Sequence, residues 1–129
     1  MSDIQVTTTA AEGYKAESTV GDHEVTVDAG GADAPSPVEM LVTSYTSCFL
    51  AAFRMAAKRN GVREIGRIDV DALAEQSDDG LESIKFTLSV EATLEDPQTV
   101  LEAAEEYCHV NQSLDPSLRA DVTVEDGAF

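Results

Sequence analysis

With 129 residues, 43% of them apolar, the chain has the length and the content for one hydrophobic core, which argues against a disordered segment and against a second domain. Asp and Glu number 25 against 8 Lys and Arg, a formal charge of −17, and the acidic residues spread along the chain instead of gathering in a tail. Such a surface disfavours nucleic acid and anionic membrane as partners, since both call for clustered Lys and Arg; it suits a protein kept soluble in concentrated salt, where carboxylate repulsion is screened over roughly 3 Å at 1 M.

The start, Met1-Ser2-Asp3, carries neither the basic nor the apolar region of a signal peptide, and no run approaches the ~20 apolar residues of a membrane span. A cytoplasmic location is expected. Cysteines in that compartment are more often reduced, reactive or buried than joined as a permanent staple, so the positions of Cys48 and Cys108 must decide their use.

In chain order, three short strands come first: Ile4 to Thr9, Tyr14 to Val20 and Glu24 to Asp28, with turns at Glu12-Gly13 and Gly21-Asp22. The stretch Gly30-Gly31-Ala32-Asp33-Ala34-Pro35 then breaks all periodicity. Ser36-Pro37-Val38-Glu39 has the form of a capping box with proline at the first helical position. From Met40 to Ala57 apolar residues cover almost every face, which predicts a central, buried helix, closed by Lys58, Arg59 and Asn60-Gly61.

Ile68 to Ala74 and Ile84 to Ala92 alternate apolar with polar residues on either side of Ser77-Asp78-Asp79-Gly80, the pattern of a long hairpin with one wet face. Asp96-Pro97 opens a second helix, with Val100, Ala104, Tyr107 and Cys108 on the inner side and Glu102, Glu105 and Glu106 opposite. A last strand, Ala120 to Val124, completes an α+β order of βββαββαβ, two buried helices packed with antiparallel sheet.

Two readings of the cysteines stay open at this point. Both can be small core hydrophobes, the commonest use of free cysteine. Alternatively, since each buried helix carries one, the meeting of the helices would bring Cys48 and Cys108 within disulfide reach as a redox pair. Metal binding is not expected, because His23 and His109 with two cysteines form no CxxC or HxxxH spacing, and His109 beside Cys108 points elsewhere on a helix. A Cys-His hydrolytic arrangement also lacks an identifiable oxyanion loop, and Gly30-Gly31 is a turn, not a phosphate cradle. No cofactor is expected.

The segments His23-Glu24-Val25-Thr26-Val27-Asp28, Gly30-Gly31 and Ser36-Pro37-Val38-Glu39-Met40-Leu41 through Cys48 resemble the OsmC/Ohr family. Tyr107-Cys108-His109-Val110-Asn111-Gln112-Ser113-Leu114 is similar to its second cysteine segment, and the strand order agrees over nearly the whole chain, as one OsmC-like domain over residues 1–129. Pro37-x-Glu39 follows the OsmC-like branch, with Cys48 nine residues after Glu39 and Cys108 sixty after Cys48.

The resemblance implies an intertwined homodimer that reduces organic hydroperoxides. Cys48 would be the peroxidatic thiol, Cys108 the resolving thiol, Glu39 a further catalytic residue, and a dithiol the reductant. An apolar pocket formed by Tyr45, Phe49 and Phe53 would suit such a peroxide, although aromatics like these are more often core. The alternative implied activity is a binding or sulfur-carrying module with a nucleophilic Cys48 and no peroxide turnover. In this sequence no arginine precedes Arg54, which leaves Lys15 as the only N-terminal cation to favour a Cys48 thiolate. On a straight helix, nine residues at ~100° each put Glu39 opposite Cys48, which suits a capping carboxylate.

Overall fold

The computed structural model describes residues 3–129; Met1 and Ser2, part of the start read above for a signal peptide, lie outside the described residues. The chain divides into two compact units, the first ending at Leu41 and the second running Val42–Phe129.

The first unit is a three-stranded antiparallel meander of β1 (Val6–Thr9), β2 (Lys15–Val20) and β3 (His23–Asp28). Alternate residues of β2 and β3 are half-buried, the period of a sheet with one wet face. The glycine-rich segment that follows is folded around one carboxylate: Asp28 Oδ1 accepts from Gly30 N at 2.9 Å and Oδ2 from Asp33 N at 3.1 Å. These amides, with Ala32, hold the Asp28 carboxyl below its ordinary value, and Lys15, its cross-strand partner, adds to the effect. Lys15 thus has a local use, on an exposed strand start.

Helix α1 (Pro37–Arg59) starts on the expected capping box, with Ser36 N donating to Glu39 Oε1 at 2.8 Å and Glu39 N to Ser36 Oγ at 3.2 Å. It ends at Gly61, whose φ of 89° lets Val62 N reach back to Ala57 O. At 23 residues α1 is long and apolar enough, by length and composition, to cross a membrane, contrary to the expectation drawn from uninterrupted apolar runs. Its burial is that of a core helix: Tyr45, Phe49, Ala52, Phe53, Ala56 and Ala57 form one enclosed stripe, while Met55 is exposed.

The second unit holds every residue of the buried apolar cluster. Strands β4 (Ile68–Ser77) and β5 (Gly80–Val90) form the predicted hairpin, and Ile84, Phe86, Leu88 and Val90 of β5 turn one face into the core. Burying such side chains contributes about 1.5–3 kcal/mol each. Strand β6 (Asp121–Glu125) joins the other edge of β5 in parallel, so the sheet is mixed and not purely antiparallel.

Two departures concern the C-terminal third. The expected single helix is two, α2 (Pro97–Tyr107) and α3 (His109–Ser113), separated by Cys108 in extended conformation at φ −79° and ψ 104°. A short 3-10 turn, Pro116–Leu118, then leads to β6. The predicted start at Asp96-Pro97 is present, with the Asp96 side chain accepting from Thr99 N at 3.2 Å.

Candidate active site

Cys48 lies mid-helix on α1, half-buried at the margin of the core stripe. The neighbouring hydroxyls are turned into the helix itself, Thr46 Oγ1 and Ser47 Oγ both donating to Thr43 O, at 2.9 and 3.0 Å. Cys108 is fully enclosed, 0% exposed. The two thiols are not joined by a disulfide. Burial, the largest cause, pushes the Cys108 thiol up to about 11, and the nearby Cys48 side chain adds to the rise.

The break at Cys108 explains its local geometry. As the last residue of one helix cap and the first of the next, it leaves α2 without the continuing amides that would satisfy its final carbonyls. Asn111 Nδ2 and Gln112 Nε2 instead both donate to Glu105 O, at 3.0 and 2.8 Å. The backbone N–H of Asn111 donates to Cys108 Sγ at 3.4 Å. Tyr45 completes the group, its hydroxyl donating to Asn111 Oδ1 and accepting from Ala120 N at 2.9 Å. Burial, the largest influence, raises the Tyr45 pKa and keeps it a neutral donor.

Tyr45, Phe49 and Phe53 do not line an open apolar pocket. All three are 0% exposed, and Tyr45 and Phe49 stand edge-on against Phe86 with ring centroids at 4.7 and 5.6 Å. They are core. Glu39 is held in its capping box, where bonds from Ser36 lower its pKa. His23 and His109 are exposed, and His109 opens α3 instead of extending a helix from Cys108. Sequence reasoning missed Asn111 as a structural partner; the available signal was an amide three residues after a buried cysteine, the spacing of a side-chain cap.

The family model for OsmC-like protein matches residues 30–123, a span holding Glu39, both cysteines and Asn111. A Haloferax volcanii protein, described as uncharacterized, is 42% identical over the full length of both chains. A Staphylococcus aureus protein described as organic hydroperoxide resistance protein-like is 27% identical over 97 residues, 70% of this chain and 69% of that one. Among solved structures, an OsmC like protein from Mycoplasma pneumoniae superposes with a TM-score of 0.84 at 17% identity, covering 97% of each chain. The strand order, the two cysteine segments and the family match agree: this chain belongs to the OsmC-like protein family.

Proposed function

We propose that the protein is a thiol peroxidase that reduces organic hydroperoxides through Cys48 and Cys108. The observation that carries this reading is the family match, which spans both cysteines; it is supported by the nearness of the Cys48 side chain that adds to the raised Cys108 pKa. The Cys48 thiolate attacks the O–O bond, releasing an alcohol and leaving a sulfenic acid. Cys108 then attacks that sulfur, a disulfide forms, and the sulfenic oxygen leaves as water. A dithiol reductant returns both cysteines to thiols by two exchange steps, itself becoming a disulfide. The unequal burial supports the division of labour, since the more accessible Cys48 meets substrate and the enclosed Cys108 only has to meet Cys48.

Glu39 belongs to the proposal as a carboxylate that acts on the reaction in addition to capping α1. Glu39→Gln keeps an oxygen for the Ser36 amide and removes the charge, so it separates the two uses. The working form is a homodimer in the cytoplasm, in keeping with the family. The test is consumption of cumene hydroperoxide with dithiothreitol present: wild type should turn over and Cys48→Ser should not. No peroxide loss by wild type, with persulfide or ligand adducts on Cys48, would instead favour a sulfur-carrying module.

The net charge of −17 and the similarity to a Haloferax volcanii protein support operation in concentrated salt. Lowering potassium chloride from molar to about 0.1 M lengthens the screening distance several-fold and should lower the melting temperature. An unchanged melting curve would refute salt adaptation.

A further inference from the structure

Resting on the thiol-pair reading, we infer that Tyr45 and Asn111 are positioning residues that hold Cys108 for disulfide closure. Asn111 and Asp28 are the buried polar residues among those described, and Asp28 serves its own loop. Asn111 is 3% exposed, and its polar atoms connect three parts of the second unit: Oδ1 to α1 through Tyr45, Nδ2 to α2 through Glu105 O, and the backbone N–H to Cys108 Sγ. The Tyr45 hydroxyl also receives Ala120 N, just before β6. The ring alone would pack edge-on against Phe86 without any hydroxyl. The oxygen adds a fixed link between Cys48's helix and the break that carries Cys108.

That link acts at a defined step. In closure, Cys48–S–OH and Cys108–SH become a disulfide and water, and negative charge grows on Cys108 Sγ as its proton leaves. The Asn111 N–H already points at that sulfur, so it stabilises the developing charge without rearrangement, provided the first turn of α3 stays in place. Tyr45, through the Asn111 side chain, keeps it there. Attack of Cys48 on peroxide precedes this step and does not draw on the link.

The experiment compares wild type, Tyr45→Phe, Asn111→Ala and the double variant, with Ile65→Ala as a core truncation outside the network. One equivalent of cumene hydroperoxide is added, and sulfenic acid, trapped with dimedone, and disulfide are followed separately by mass. Tyr45→Phe should form sulfenic acid at a rate within about twofold of wild type while closure slows about tenfold, because a displaced reacting group loses rate at that step alone. The double variant should close no more slowly than the slower single. A parallel arm drives closure with diamide, which oxidises the two thiols without peroxide. If wild type closes with diamide but not with peroxide, the peroxidase reading fails, and slower closure of Tyr45→Phe with diamide still supports the positioning role. Closure at the wild-type rate in both single variants, equal slowing in Ile65→Ala, or no disulfide in wild type under either oxidant would overturn it.

Discussion

Cys48 and Cys108 are the same side chain set in two different backbones. Cys48 rides on an unbroken 23-residue helix, half-buried, where its position is fixed by every turn on either side. Cys108 occupies the one extended residue between α2 and α3, fully enclosed, where its position depends on side-chain bonds made by Asn111, Gln112 and Tyr45. A regular helix presents a group by backbone alone. A helix break needs a polar scaffold to do the same, and that scaffold brings its own hydrogen bonds to the sulfur.

The contrast can be broken from either side. Phe49→Ala, next to Cys48, removes a ring buried against Phe86 and should cost about 3–5 kcal/mol in urea unfolding, by lost transfer and the cavity left behind. Asn111→Ala leaves the Tyr45 hydroxyl and Glu105 O without that partner, and should cost about 1–3 kcal/mol. The first variant should lower stability more than the second, while only the second should uncouple α2 from α3, read as faster amide exchange at Asn111 and Gln112. The reverse order of stabilities would mean that the break is held chiefly by polar bonds and the helix hardly by packing.

The enclosure of Cys108 also makes stability depend on pH. The Cys108 pKa rises from 9.0 to about 11 on folding, so the folded state retains a proton that the unfolded state has lost over that range. The stability it contributes is complete below pH about 9 and is lost as pH climbs toward about 11. Tyr45, also raised by burial, acts in the same direction at higher pH. Unfolding free energies across this window should fall less steeply in Cys108→Ser than in wild type. Identical slopes would show that the thiol is not held protonated by burial.

Much of the fold was legible because its signals are local. Alternation at Ile84, Phe86, Leu88 and Val90 marks a one-faced strand, and Ser36 with Glu39 marks a helix start, since both depend on neighbours a few residues away. The parallel pairing of β6 with β5 was not legible, because a single strand's sequence carries no direction. Nor was the break at Cys108: Val100, Ala104, Tyr107 and Cys108 keep helical spacing, and no Gly or Pro interrupts them. The break is tied to α1 by the bond from Tyr45 Oη to Asn111 Oδ1, 66 residues apart, a contact that periodicity cannot register. At the site, both cysteines were legible as residues, and the family resemblance supplied the roles proposed for them. Tyr45 was legible only as an aromatic core residue, because the partner of its hydroxyl lies 66 positions away.

If Cys48 and Cys108 form one redox unit with unequal parts, peptide mass mapping after one equivalent of cumene hydroperoxide will separate their roles. Wild type should lose two hydrogens in a Cys48–Cys108 linked peptide, Cys108→Ser should accumulate sulfenic acid on Cys48, and Cys48→Ser should stay unmodified. Unmodified thiols in wild type, or oxidation of Cys108 in Cys48→Ser at the wild-type rate, would contradict it.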